Sequence, residues 1–303
     1  MRKKNPNQIR DGSRVADIII YIVAILLGVI TLYPVIFVIS NSISDPVASA
    51  TGQVWLWPVG FSTAAFEYVF QSPALWRAFF NSIVYTVVIT VGQLFFDMLV
   101  AFGLSKKGLL GRKWIVMYIL IPMWFSAGLI PIFINMTQLG LYNKIWSIIL
   151  MSMFGTYNCI LARSFINRLP GELMEAATID GASVPHIFFK IVLPLSKPIM
   201  AVLGLYIALG AWNNWYSYMI YLPTRDDLHP LQYFLVKTLI QAQSAAGGLG
   251  MTMEQTMQSL QLSYIMPQLK YAMIVVAVVP IMCVYPFVQK YFVKGVMLGS
   301  LKE

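Results

Sequence analysis

Two groups of residues have the types and spacing to do chemistry on a solute, and neither is a catalytic set. The first is Trp212, Asn213, Asn214, Trp215, Tyr216 and Tyr218, where aromatic rings stand beside amides. Sugars present an apolar face and a polar edge, so such a run suits a carbohydrate pathway. At helical spacing Trp212, Trp215 and Tyr216 line one stripe. The same residues also suit an aromatic belt at a membrane surface, with the two Asn side chains holding helices together. The second is Asp97, the only carboxylate well inside an apolar run. An acid there faces a bundle interior or a watery cavity. It fits either a proton-coupled carrier or a hydrogen bond to a neighbouring helix. No His, Cys or carboxylate cluster has metal-ligand spacing. His186 and His229 lie in different loops, and Cys159 and Cys283 sit in apolar runs as packing residues. The segment Gly108–Lys113 lacks the spacing and hydroxyl of a phosphate loop, so the chain is expected neither to bind nor to hydrolyse ATP.

A third stretch suits mechanical work. Glu172 to Pro198, ELMEAATIDGASVPHIFFKIVLPLSKP, is a polar hairpin wedged between two long apolar runs. The pattern predicts a short helix over Leu173–Ile179, with Pro170 and Gly171 at its mouth and Glu172 and Glu175 in its first turns, where negative charge suits the helix dipole. Gly181 then supplies the left-handed residue that lets the chain reverse. Ser183 caps a second helix that carries Pro185 in its first turn. Val184, Ile187, Phe188 and Ile191 give that helix one apolar face, and Pro194 is expected to end it.

Glu175, Ala176 and Ala177, then Gly181, then Ile191, Leu193 and Pro194 stand at the spacing EAA, three residues, G, nine residues, I, one residue, LP. This resembles the EAA signature in the cytoplasmic loop of binding-protein-dependent ABC importer permeases, which docks into a cleft on the ATPase subunit. The flanking IDGAS and PLSKP are similar to the carbohydrate-uptake branch, of the maltose permease MalG type. Asn81 and Ser82, LGLYN, WNNWYSYMIYL and YPFVQKYFVKGVMLGS extend the likeness over about Phe79 to Glu303.

The elements that must position these residues are membrane spans. A hydrophobic fraction of 58% with 11% charged residues, and a mean hydropathy of +0.72, are far from soluble averages. The net charge of +9 lies in short clusters beside apolar runs rather than in the stripe that nucleic acid needs. Six runs are expected to cross a bilayer, at about 15–40, 80–104, 114–136, 145–165, 199–222 and 271–292. The first, after a basic start, resembles a secretory signal but is too long for one. Trp55, Trp57 and Trp76 suit an interface, and residues 62–74 are expected to hold a short surface helix. Of all Lys and Arg, only Arg77, Lys144, Arg225, Lys237 and Lys270 fall outside the segments read as cytoplasmic, which places both termini and the hairpin on the cytoplasmic side.

The expected fold is therefore all-α and polytopic, with six transmembrane helices and, by the resemblance, a MetI-like ABC importer permease core. Residues 1–78 would form the N-terminal segment, first span and outer loop. Residues 79–293 would form the core, with the EAA loop at about 167–198 and a long outer loop at about 223–270. Residues 294–303 would be a cytoplasmic tail. The resemblance implies a multi-pass subunit of the bacterial cytoplasmic membrane that imports a sugar or oligosaccharide by alternating access. Its partners would be a second permease, two ATPase subunits holding ATP and Mg, and an extracellular or periplasmic solute-binding protein. The chain itself would bind no cofactor or metal. Glu175, Ala176, Ala177, Asp180, Gly181, Ile191, Leu193 and Pro194 would couple it to the ATPase. Trp212 to Tyr216, Tyr218 and Asp97 would line the substrate path, and the long outer loop would meet the binding protein. Import of a non-sugar solute, ion-coupled transport and a non-transport scaffold or receptor role are the alternatives.

Overall fold

The computed structural model describes residues 14–106, 108–245 and 263–283. In order, the helices are α1 (Arg14–Ser42), α2 (Pro46–Ala50), α3 (Ala64–Phe70), α4 (Pro73–Ser105), α5 (Arg112–Trp124), α6 (Leu129–Gln138), α7 (Trp146–Met151) and α8 (Thr156–Ile166). They continue as α9 (Gly171–Ile179), α10 (Val184–Leu195), α11 (Lys197–Asn213), α12 (Tyr216–Tyr221), α13 (Leu231–Ala245) and α14 (Ser263–Cys283). No strand occurs among the described residues; the one β-type contact is an isolated bridge between Ser44 and Phe61.

This is an all-α polytopic membrane architecture. Among the described residues, Ala16–Ser42, Pro73–Ser105 and Ser263–Cys283 are each long and apolar enough to cross a bilayer alone. Two further pairs qualify only as broken elements: α5 with α6, bent by 117°, and α10 with α11, bent by 80°. Several expected boundaries shift for local reasons. The run at 114–136 is interrupted between Trp124 and Leu129: the helix continues through Pro122, and the break runs to Gly128, whose φ of 81° and ψ of 171° are open to glycine. The run at 145–165 is split between Met151 and Thr156. Among the described residues the last span already includes Ser263 rather than opening at 271, and Leu231–Ala245 is helical, so both described parts of the expected outer loop contain helix. The Ser, Ala and Gly-rich middle of that loop, from Ser244 to Gly250, falls mostly outside the described residues, as do the end of the last span and the C-terminal tail.

The missing N–H of Pro194 predicts the end of the second hairpin helix there, but the helix does not end at that residue. The chain widens into a π-turn over Phe188–Val192, with the Leu193 N–H reaching the Phe188 carbonyl, and runs on to Leu195. A π-turn moves the preceding carbonyls off the pyrrolidine ring, so the proline is absorbed rather than terminal. The break falls at Ser196 instead, where the direction changes into α11.

The helices divide into two compact units. One holds α1 to α3 with the later part of α13 and most of α14; its centre is the hydrogen-bonded loop after α1. The other holds α4 to α12, the start of α13 and the end of α14. In the second unit α4 packs along both α8 and α11. One apolar cluster joins Met98, Ala101 and Phe102 of α4, Cys159, Ala162 and Ile166 of α8, and Leu203 of α11. Another gathers Tyr85, Ile89, Ile148, Ile207, Tyr218 and Tyr221.

Candidate functional site

The hairpin is built by two backbone devices. At the end of α9 the Ala182 N–H bonds the Ala177 carbonyl at 2.9 Å and the Gly181 N–H bonds the Thr178 carbonyl at 3.1 Å. This is the Schellman pattern, which needs a left-handed residue, and Gly181 supplies it with φ 78°. At the start of α10 the Ser183 hydroxyl accepts the His186 N–H at 3.4 Å, with Pro185 in the first turn. A Cβ on Gly181 would meet no atom within 4 Å, so the backbone conformation alone demands glycine.

The underside of the hairpin is tied to the spans. Ile187, Phe188 and Val192 are buried in the cluster formed by α4, α8 and α11, and Met174, Ala177, Ala182 and Leu193 pack against it. The Phe188 ring lies 5.4 Å from that of Phe102 and 5.1 Å from that of Phe189. The opposite face is free: Glu172, Glu175, Ala176 and Ile179 recur at helical spacing and are exposed. Ile179 is 87% exposed and Val184 60%. The signature therefore splits by direction. Glu175, Ala176, Asp180 and Pro194 are exposed, whereas Ala177 and Leu193 are half-buried against the apolar cluster and Ile191 is half-buried. The hairpin is thus an element with an apolar, exposed tip and a base packed on α4, α8 and α11.

Replacing Pro194 with alanine is expected to let the π-turn close to α geometry. Removing one residue from the turn rotates Val184–Phe188 by roughly 100° and withdraws Phe188 from Phe102. Oxidative cross-linking of cysteines placed at 102 and 188 should then fall relative to the same pair with Pro194 in place; equal cross-linking would show that the proline does not hold the turn.

The aromatic and amide run is not one stripe. The helix breaks at Asn214, whose ψ is 92°. The Asn213 amide donates to the Leu209 carbonyl at 3.0 Å, and the Asn214 side chain accepts the Ser217 N–H at 3.1 Å. The amides thus close one helix and open the next instead of bridging neighbours. Trp212 is buried edge-on to Phe79, ring centroids 6.2 Å apart, and lines an apolar cavity of about 320 Å³ with Phe79, Ile83, Thr86 and Leu209. Trp215 and Tyr216 are exposed and pack on each other at 5.8 Å. Tyr218 is buried and stacks on Tyr85 at 5.8 Å.

Asp97 is fully buried. Its Oδ1 accepts the Gly155 N–H at 2.8 Å and its Oδ2 the Gln93 amide at 3.4 Å. Gly155 immediately precedes α8, so the carboxylate sits at a helix N-terminus, where the dipole favours negative charge. Contact is close: a Cβ on Gly155 would fall 2.2 Å from Gln93 Nε2 and 3.4 Å from Asp97 Oδ2. The acid therefore clamps the interrupted α7 and α8 segment to α4 and does not line the cavity beside Trp212.

Gly155 and Gln93 carry no sequence signal beyond being a glycine and an amide within apolar runs. A second polar cluster forms around Asn81 and Ser82, which the resemblance marked, while their partners carried no such signal. The Asn81 amide donates to the carbonyls of Asp227 and His229 at 2.9 and 3.1 Å, and the Ser82 hydroxyl accepts the Leu231 N–H at 2.8 Å. His229 is buried with Nε2 at 2.8 Å from the Leu222 carbonyl, and burial pushes its pKa down. Arg225 grips Asp227 through two hydrogen bonds and holds that carboxyl below its usual range, while Lys237 reaches Asp226 at 2.7 Å. Among the described residues no group of His, Cys, Asp and Glu could hold a metal ion.

Spans interrupted near polar clamps, with one helical hairpin standing free of them, define a membrane transport component. The family described as binding-protein-dependent transport system inner membrane component matches residues 93–217, which contain the hairpin and the Asp97 junction. The chain is 36% identical over 275 residues to protein LplC of Bacillus subtilis, covering 91% of this chain and 90% of that protein. It is 33% identical over 290 residues to the polygalacturonan/rhamnogalacturonan transport system permease protein YtcP of the same organism, covering 96% and 99%. A solved bacterial ABC transporter involved in the import of the acidic polysaccharide alginate includes a chain with TM-score 0.82 and 34% identity, covering 93% of this chain and 98% of that one. This chain belongs to the family of binding-protein-dependent transport permeases.

Proposed function

We propose that the chain is one of two permease subunits of an ABC importer that delivers a sugar or oligosaccharide from a solute-binding protein to the cytoplasm. The observation that carries this is the hairpin, exposed at Glu175, Ala176, Ile179 and Val184 and seated through Ile187, Phe188 and Val192 on the ends of α4, α8 and α11. Glu175, Ala176 and Asp180 meet the ATPase, Gly181 sets the bend, Ala177 and Leu193 hold the hairpin to the spans, and Ile191 and Pro194 shape the π-turn between them. Nucleotide and Mg belong to the two ATPase subunits. Their closure moves the hairpin as a rigid body and alternates access to the path between the permeases. Both termini and the hairpin lie on the cytoplasmic side, in keeping with the distribution of Lys and Arg. The second permease or lipid covers the exposed faces of α5 and α6, which fully bury no side chain within this chain.

The substrate class rests on the relatives, whose names specify polygalacturonan/rhamnogalacturonan, arabinooligosaccharides and alginate. Two of these are uronate polymers, so uronate-rich oligosaccharides come first in a screen. In proteoliposomes holding both permeases and the ATPases, loaded binding protein should stimulate ATP hydrolysis and drive accumulation that ionophores leave intact. Accumulation without ATP that an ionophore abolishes would replace this reading with ion coupling. Replacing Ile179 with aspartate puts an unpaired charge at the hairpin tip. It is expected to weaken ATPase association by roughly 2 kcal/mol, about thirtyfold, as at other interface hot spots. Unchanged co-purification would remove the tip from the contact.

A further inference from the structure

The loop after α1 shows exposed aromatic side chains on a backbone that is held firmly. Trp55 is 66% exposed, Trp57 80% and Phe61 76%. Their backbone is tied to the end of the spanning helix. The Ser40 hydroxyl donates to the Leu56 carbonyl at 2.6 Å, the Val59 N–H donates to the Ser44 hydroxyl at 3.1 Å, and the Asp45 N–H reaches the Gly60 carbonyl at 2.6 Å. From α14 the buried Gln268 amide donates to the carbonyls of Ser42 and Ser62 at 3.0 and 2.6 Å, closing the loop from both ends. Exposure of the rings is therefore set by the fold.

Depth follows from α1. Its apolar stretch, Ala16–Ser42, has 27 residues. At a rise of 1.5 Å per residue this is about 40 Å, the thickness of a bilayer with its headgroups. A helix of that length which begins in one headgroup layer ends in the other, so Ser40 to Ser44 and the loop bonded to them lie at headgroup depth. Between Asp45 and Glu67 there is no charged residue, so nothing in the loop opposes partial immersion. Tryptophan prefers this zone, where its ring meets both apolar and polar surroundings.

We infer that residues 55–61 form a rigid interfacial anchor, in which Trp55, Trp57 and Phe61 insert into the lipid headgroup layer at the C-terminal end of α1. The exposed apolar surface of α1 meets one charged residue before the aromatic loop, Asp45, whose Oδ1 is taken up by the Val47 and Ala48 N–H groups, and the uncharged stretch that follows favours lipid as the occupant over a protein partner. The anchor fixes the end of the first span and depends on neither the identity of the transported solute nor the hairpin.

The test uses the assembled transporter in nanodiscs, with Cys159 and Cys283 replaced by serine and Val59→Cys carrying a nitroxide. Val59 lies between the aromatic residues with its side chain exposed. Collisions with oxygen and with a water-soluble nickel chelate should place the label roughly 5–10 Å below the phosphates, the depth of interfacial anchors. Adding Trp57→Ser should move it towards water. A label freely open to nickel in the otherwise intact loop overturns the inference. Nickel access that purified binding protein then blocks overturns it in favour of a protein-docking surface. ATP hydrolysis stimulated by loaded binding protein, measured on the same nanodiscs, separates this outcome from failure of the import reading.

Discussion

Replacing Gly181 with valine is expected to abolish most solute uptake while leaving the chain in the membrane. Gly181 holds φ at 78°, the only conformation that lets the Ala182 N–H return to the Ala177 carbonyl and turn α9 into α10. An L-residue in that region costs about 1–2 kcal/mol, more for a β-branched one, because Cβ crowds the following carbonyl. Such a cost lowers the population of the formed turn by roughly 5- to 30-fold. No atom lies within 4 Å of the new Cβ, so the effect comes from conformation and not from crowding. Asparagine tolerates the left-handed region, and Gly181→Asn should recover much of the loss. Membrane yield, ATP hydrolysis and uptake measured together separate the outcomes. ATP turnover that continues without uptake is the expected pattern, and normal uptake with valine at 181 would sink the rigid-hairpin mechanism.

Asp97→Ala is expected to destabilise the permease more than any single change at the hairpin surface. It leaves the Gly155 N–H and the Gln93 amide, both half-buried, without the fully buried carboxylate that they bond. An orphaned buried donor costs about 1–3 kcal/mol, and a cavity adds to it. The thermal midpoint should fall and uptake with it. Asp97→Asn keeps an acceptor at the same position and should retain most of both. That pair of variants separates the two readings of the residue, since asparagine cannot carry a proton. If Asp97→Asn folds normally but transports nothing, the clamp is not its main role and ion coupling returns.

The division between sequence and fold follows the range of the interactions. The EAA spacing, the glycine turn and the serine cap were readable because each depends on residues within a few positions of one another. The same locality made Pro194 misleading. A proline ends a helix by default, and only the packing of Ile187, Phe188 and Val192 on α4 and α8 gives the chain reason to open a π-turn and continue. Trp212 to Tyr216 failed as a stripe for a related reason. The spacing argument assumed an unbroken helix, whereas Asn213 and Asn214 use their amides to end one.

Composition and the grouping of apolar runs alone determined that this is a helical membrane protein. The polar interruption at 172–198 alone determined where it would present a hairpin. Tertiary structure decided which side of that hairpin is free, which groups Asp97 bonds and how the loop after α1 is pinned. Those outcomes depend on contacts such as Asp97 with Gly155, 58 positions apart, and Gln268 with Ser42, 226 apart, which leave no periodic trace in the chain because neither partner constrains the residues beside the other.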